Sequence, residues 1–549
     1  MSEVPAAGAP SPLGPRAWYR LGSADLVFLL LCVLIYPAAQ GKMLSDPGLG
    51  WHLRNIDAML AEGGWLTVDP FTQPRDGTHS RWYTNQWLGE LPFWLGERWA
   101  GMEGIAAVAT VVLAFTLRCV YAALLRDGLP WPLAAAWVCV AAVGTNCSWI
   151  ARPNLFTMLF VFLTARLCEQ FHLGRASKGT LLWLLPLFAV WANTHGGFVA
   201  GFIILAVTLL VEALLSLFAS GPARSAARGR LFWLSLVSVG AFGATLLNPY
   251  VWRLYPWIFQ LLGDPYFMKL HFEWKPPPFN EPGGYQFTLL ILLLPLMLGL
   301  SKKNPTPVEL GLAVVWLHFG LTGFRYFPLC ALVAVPVMAR SSMAIPWIEK
   351  CFASLQSASG PGQSIALPAR SPWVWTAAFA ALLILASVFI KGRYARLLPD
   401  MIPTEALDEL LKRQEERPGA VVFHSYDWGG YLTWHGWHAT GPRLLNWIDD
   451  RNEVQGREHV EEYYSILDAQ PGWEQKLNRD RVELIGIEAG APLAQRLNKD
   501  AAGIGVGCSV RVLGGEWQWH QVYSSEKERN DKGEIHGAVV FERFLDKPH

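Results

Sequence analysis

The chain has 549 residues, 52% of them hydrophobic and only 16% charged, where an ordinary soluble protein carries roughly a quarter. So little charge excludes a wholly soluble protein and points to lipid as the solvent of much of the chain. A formal net charge of +1 argues against a nucleic-acid-binding protein, which usually shows a basic patch.

Residues 1–21, rich in Pro, Ala and Gly, are expected to form a disordered cytoplasmic N-terminus. The apolar run that follows ends in no small-residue cleavage site and reads as a retained signal anchor rather than a cleaved signal peptide. Apolar runs of about the length that spans a bilayer then recur, giving about eleven expected transmembrane helices. They cover residues 22–41, 103–125, 130–149, 154–172, 180–194, 197–219, 230–248, 285–300, 307–323, 325–340 and 373–391. The runs at 180–194 and 325–340 are short enough to be tilted, re-entrant or broken. Many of the 27 tryptophans sit beside these runs, as an aromatic belt requires.

With a cytoplasmic N-terminus, the inside loops hold most of the basic residues, among them Arg126, Arg175, Lys178, Arg224, Arg228, Lys302, Lys303, Arg340, Lys350 and Arg370. That is the positive-inside pattern, and an odd number of spans places the tail outside. Arg118, within a span, is expected to snorkel toward the cytoplasmic surface. The transmembrane domain is thus read as 22–392, with a long first outer loop at 42–102. In that loop NQWLGELPFWLGERW has the spacing of an amphipathic interfacial helix. A second outer loop, 249–284, is made extended by three consecutive prolines.

Residues 393–549 read as a small extracytoplasmic α/β domain. Residues 404–417 suit a charged amphipathic helix with Thr404 as N-cap. AVVFHSYDWGGYLTW, PRLLNWID, RVELIGIEA, HQVYSS and AVVFERF read as strands, and HVEEYYSILD and APLAQRLNK as helices. The eight cysteines contain no CxxC pair, so neither a thiolate metal site nor a disulfide framework is suggested.

The first outer loop is the densest candidate site. Asp46, His52, Arg54 and Asp69 lie in SDPGLGWHLRNIDAMLAEGGWLTVDPF. Both aspartates precede Pro, so two solvated turns are one reading. The other is a carboxylate at the lipid–water boundary that takes a proton from an attacking hydroxyl, or helps to hold a divalent cation. Asn193 and His195, in WANTHGGF at the outer end of a span, either face a cavity or make a polar helix-end turn. Arg152 in ARPNLF and Arg325 in GFRYFP stand at outer span ends against the charge bias. Each suits a lipid phosphate or ordinary headgroups. His271, Glu273 and Trp274 form a weaker cluster. In the tail, YDWGGYLTW and NWIDDR stand out: Gly429 and Gly430 allow either close approach to a ligand or a strand bulge. No phosphate loop, nucleophile elbow or zinc helix is present.

A first span, an Asp opening a long outer loop and an amphipathic helix together resemble the GT-C superfamily of membrane glycosyltransferases. More closely, the chain is similar to a group of bacterial multi-pass membrane proteins with a DPxxxWHL first-loop motif. The matching stretches are DPGLGWHLRNIDAML, GGWLTVDPFT, NQWLGEL, ARPNLFT, WANTHGGFVAG, LLNPY, FEWKPP, RYFPL, YDWGGYL and IDDR. The resemblance implies a glycosyltransferase of the bacterial cytoplasmic membrane that uses a polyprenyl-phosphate sugar donor and a glycan, lipid or protein acceptor on the outer face. It makes Asp46 the base and Asp69 a helper or metal ligand, with His52 a further catalytic residue. Arg54, Arg152, Asn193, His195, Glu273 and Arg325 become substrate-binding residues. No adjacent Asp-Glu pair and no DxD in the second outer loop accompany these motifs, so reaction class carries over more firmly than any one role. A transporter of a lipid-linked or polar solute, and a non-enzymatic envelope scaffold, are the rival readings.

Overall fold

The computed structural model describes residues 21–75, 77–281, 284–358, 373–398, 401–439, 444–501, 517–524 and 537–545. The expected disorder of the N-terminus, apart from Leu21, lies outside these residues, as do Arg370 and Cys508.

In chain order the first half contains α1 (Ser23–Ile35), α2 (Leu49–Glu62), α3 (Trp87–Ala100), α4 (Met102–Arg126), α5 (Trp131–Thr145), α6 (Asn154–His172), α7 (Lys178–Leu181), α8 (Leu184–Thr194), α9 (Phe198–Phe218) and α10 (Gly221–Thr245). Then come α11 (Leu254–Leu262), α12 (Pro265–Leu270), α13 (Tyr285–Leu300), α14 (Pro307–Thr322), α15 (Phe327–Met343), α16 (Pro346–Ala358) and α17 (Val374–Phe389). Every expected span but 180–194 falls on one of these helices. Among the described residues, five helical segments are long and apolar enough to cross a membrane by length and composition, and α13, α14 and α17 are shorter apolar helices. The run at 180–194 is broken into α7 and α8. The other short run is the continuous α15, which lies at the centre of the bundle against α4, α5, α6, α13 and α14.

Arg118 does not snorkel. It is buried, donates to Thr376 Oγ1 at 2.7 Å, lies 3.5 Å from Asp25 and stacks over Trp373. An intraprotein carboxylate and an aromatic face replace the headgroups. At the far end of the bundle from the site described below, Arg340 joins Asp127, Glu169 and Glu309 at 2.8, 3.0 and 2.5 Å. Those contacts tie α6, α14 and α15 together.

The tail contains α18 (Thr404–Glu416), β1 (Val421–His424), α19 (Gly429–Gly436), α20 (Asn452–Leu467), α21 (Trp473–Arg479), β2 (Val482–Glu488), α22 (Pro492–Ala501), β3 (Trp517–Ser524) and β4 (Ala538–Leu545). The sheet order is β1-β2-β4-β3, with β1 parallel to β2 and the other pairs antiparallel. Thr404 is the first helical residue rather than the N-cap, which is Pro403, and no side chain caps the helix. The strand expected through YDWGGYLTW ends at His424. Beyond it lie a 3-10 turn, Tyr426–Trp428, and then α19. Among the described residues of PRLLNWID, only Asn446 makes isolated bridges, to Val422 and Thr72.

The helix gives Gly430 a third role, while a Cβ on Gly429 would instead meet Asp449 Cβ at 2.6 Å. A Cβ on Gly430 would overlap the Pro47 carbonyl, with its carbon at 2.9 Å, and a Cβ on Gly50 would lie 2.6 Å from the Gly430 carbonyl carbon. Gly430 and Gly50 therefore let α19 lie backbone to backbone on the start of α2. Around that contact, Arg54 Nε donates to the Trp434 carbonyl (2.8 Å) and Trp434 Nε1 to Glu97 (2.6 Å). The Asn446 amide donates to the Phe71 carbonyl at 2.9 Å. The tail is docked on the first loop.

Candidate active site

Where first loop, bundle and tail meet, a cavity of about 340 Å³ opens among Asp46, Trp51, His52, Arg152, His195, Glu273, Arg325, Asp427 and Asp450. It adjoins a second cavity of about 500 Å³ whose far walls are apolar, including Met158, Ile203, Trp257, Trp316, Phe319 and Leu329. Gln86, Arg152, Asn154, His195, Glu273, Trp274, Arg325 and Glu453 line both.

Local sequence explains how the two arginines reach this junction. Arg152 precedes Pro153, the N-cap of α6, and Arg325 lies in a 3-10 turn before α15, whose first turn contains Pro328. Proline suits a helix start because the amide it removes has no partner there. Both helices thus begin at the junction, with the positive ends of their dipoles beside the arginines.

The Arg152 guanidinium meets Asp46 at 2.5 Å, Asp450 at 3.0 Å and Glu273 at 3.9 Å. Trp51 Nε1 donates to the other Asp450 oxygen at 2.8 Å. Burial pushes the Asp46 carboxyl up to about 7, opposed by Arg152 and reinforced by Asp450 and Glu273. Asp450 is raised for the same first reason. Burial works against the Arg152 charge, but the carboxylates around it outweigh burial and raise its pKa. Asp427 is pushed up to about 6, by burial and then by Asp450 and Glu488.

Arg325 differs from Arg152. Its guanidinium lies 4.1 Å over the Trp274 ring, and among the described residues no carboxylate comes within ion-pair distance. His195 beside it has a fixed tautomer. The Gly197 amide can only donate, and it donates to His195 Nδ1 at 3.0 Å. Thr157, whose oxygen accepts from Trp191 Nε1, offers its hydroxyl to the same nitrogen at 2.9 Å. The neutral ring therefore carries its proton on Nε2, leaving a donor for the cavity. His52 is held through Nδ1 to Glu90 at 2.7 Å, and Glu90 also accepts from Asn55 at 2.9 Å. Burial pushes Glu90 up to about 8 and holds His52 well below its ordinary value, so the pair is neutral.

Of the sequence candidates, Asp46, His52, Arg152, His195, Glu273 and Arg325 come together here. Asp69, Arg54 and Asn193 lie elsewhere. Asp69 is buried and pairs with Arg451 at 2.7 Å, while its carboxylate caps the Phe71 and Thr72 amides. Arg54 pairs with Asp57 and Glu97, at 2.6 and 2.8 Å. Asn193 accepts from Trp87 and donates to the carbonyls of Ala189 and Leu247. Sequence reasoning missed Asp427 and Asp450 as individual residues, although YDWGGYL and IDDR contain them.

A divalent cation is poorly served. The nearest carboxylates already converge on a guanidinium, and among the described residues no group of three or more His, Cys, Asp or Glu is arranged to hold a metal ion.

No protein-family model matches the chain, and no curated protein does. Among solved structures the fold is similar to the archaeal oligosaccharyltransferase AglB from Archaeoglobus fulgidus, in complex with an inhibitory peptide and a dolichol-phosphate. The TM-score is 0.56 at 12% identity, over 93% of this chain and 74% of that one. A second structure is the Archaeoglobus fulgidus oligosaccharyltransferase tethered by a disulfide to an acceptor peptide with the NVT sequon. It matches with a TM-score of 0.52 at 12% identity, over 84% and 69%. The likeness is one of fold.

Proposed function

We propose that the protein is a membrane glycosyltransferase that moves a sugar from a polyprenyl-phosphate-linked donor to a hydroxyl-bearing acceptor on the outer face of a bacterial cytoplasmic membrane. The observation that carries this reading is the junction. A polar cavity and an apolar one share a wall holding Arg325, which has no ion-pair partner among the described residues, and the Nε2–H of His195. A lipid phosphate has the same division, with an anion at the end of a hydrocarbon chain. The prenyl chain occupies the apolar cavity, the phosphate meets Arg325, His195 and Arg152, and the sugar extends toward Asp46 and the tail. The neighbours' dolichol-phosphate and acceptor peptide support a ligand pair of this general kind.

In the reaction, Asp46 takes the proton of the acceptor hydroxyl, and the acceptor oxygen bonds to the anomeric carbon. The carbon–oxygen bond to phosphate breaks, and its electron pair leaves on the phosphate, where positive charge stabilises it. Direct attack inverts the sugar carbon. We assign His52, held by Glu90, to orienting groups on the sugar side, and Asp69, Arg54 and Asn193 to holding loop and helices in place. The same reading gives the transmembrane domain as 22–392 and the acceptor-side domain as 393–549, outside the membrane.

The test is donor consumption by purified protein in lipid, offered a panel of polyprenyl-phosphate sugars, with Asp46→Asn and Arg325→Gln beside wild type. Turnover lost in Asp46→Asn and donor affinity lost in Arg325→Gln are expected. Full activity in Asp46→Asn removes it as the base, and no binding of any donor removes the transferase reading.

A further inference from the structure

We propose that the Arg152 guanidinium is the resident cation of this site, standing where a divalent metal ion would otherwise join its carboxylates, so that the site works without a metal. The phosphate part of this inference rests on the transferase reading above, but the cation part does not. The three nitrogens of the fork each face a different carboxylate: Nε faces Asp46, Nη2 faces Asp450 and Nη1 faces Glu273, at 2.5, 3.0 and 3.9 Å. These carboxylates come from the first loop, the tail and the second outer loop, so one side chain draws together all three walls of the cavity.

The place is shaped for the guanidinium. A Cβ on Gly48 would lie 2.7 Å from Arg152 Nη2 and 3.0 Å from Asp450 Oδ2, so any residue but glycine there would press on the pair. Trp51 fixes the second Asp450 oxygen from the other side. A hard divalent ion needs several converging oxygens. Here Asp46 and Asp450 already face the guanidinium at 2.5 and 3.0 Å, and an incoming ion would meet a fixed positive charge at contact distance.

A fixed cation has a chemical use. Phosphate departure builds negative charge, and a preorganised positive group stabilises it without a proton transfer. A guanidinium does this with planar, directional donors that a lysine lacks. Asp46 and Asp450 hold Arg152 in place before the donor arrives, and the phosphate then shares its charge with them.

The experiment uses full-length protein in lipid nanodiscs. First, Mn²⁺ is titrated into the ligand-free protein and followed by electron paramagnetic resonance. The expected spectrum is that of free ion; a bound ion that disappears in Asp46→Asn or Asp450→Asn overturns the proposal. Second, the affinity for undecaprenyl phosphate is measured with EDTA and with Mg²⁺. Equal affinity is expected, with a loss of about tenfold to hundredfold in Arg152→Gln, the range of a hydrogen bond to a charged group. Arg152→Lys, which keeps the charge and guards against misfolding, is expected to lose part of that affinity. Wild-type affinity that needs Mg²⁺ overturns the proposal. Failure to bind the phosphate under either condition counts against the transferase reading instead and leaves the Mn²⁺ result to decide this one.

Discussion

The docking of the tail on the first loop is open to a single methyl group. Gly430→Ala would place a Cβ 2.9 Å from the Pro47 carbonyl carbon and 3.6 Å from the Gly48 Cα, overlapping the Pro47 oxygen outright. Carbon atoms prefer about 3.5–4.0 Å, so α19 must retreat from the start of α2 by roughly an ångström. Both sides are backbone, and no rotamer change relieves the overlap. Overpacking typically costs about 1–3 kcal/mol, and this contact belongs at the upper end, near 3 kcal/mol. That corresponds to roughly a hundredfold rise in the undocked population. The retreat also pulls on Asp450, which bonds Trp51 at 2.8 Å and Arg152 at 3.0 Å, so donor affinity falls with docking. Hydrogen exchange across residues 47–62 and 426–436, together with undecaprenyl phosphate binding, measures both effects. Gly64→Ala, where a Cβ meets nothing within 4 Å, is the neutral control. Wild-type protection and affinity in Gly430→Ala would refute the claim that this contact holds the tail.

Asp46→Asn is expected to lower turnover by about 10²–10⁴, the usual worth of a general base, while insertion and donor binding persist. Because the Asp46 carboxyl is pushed up to about 7 and acts when ionised, wild-type turnover should fall on acidification below that value, and a pH–rate profile without such a limb removes the assignment. His195→Ala removes the Nε2–H donor and should weaken undecaprenyl phosphate binding by about tenfold or more; unchanged binding places the phosphate elsewhere. Arg451→Met leaves Asp69 and Asp449 without their buried partner, a loss of about 3–5 kcal/mol, and a thermal unfolding midpoint equal to wild type would argue against that pair as a structural anchor.

The bundle was legible because lipid imposes long apolar runs whatever the packing, and α3 because its apolar positions repeat at helical spacing. The helix α2 was not foreseen. Gly48 and Gly50 weaken its start, and the reason for glycine there is the approach of α19 and the Arg152–Asp450 pair, which only tertiary structure reveals. The same cause turned YDWGGYLTW from an expected strand into a turn and helix. Within the site, Asp46 and the two arginines stand out locally, each as a charge at the edge of an apolar run. Arg54 and Asn193, also polar groups beside apolar residues, bind partners within the protein instead, since spacing does not say whether a polar group faces a cavity or a partner. Asp450 could be noticed only as part of IDDR. Its place opposite Arg152 depends on contacts across most of the chain.

That last dependence sets an order for biogenesis. Trp51 and Asp450, which share a hydrogen bond, are separated by 399 positions. The ribosome therefore completes every apolar helix of the bundle before it makes half of the acidic wall. A nascent chain released before α19 would insert with Arg152 facing Asp46 and Glu273 but lacking Asp450. Competence arrives in one late event, when the finished tail folds onto a loop that was among the first segments to emerge.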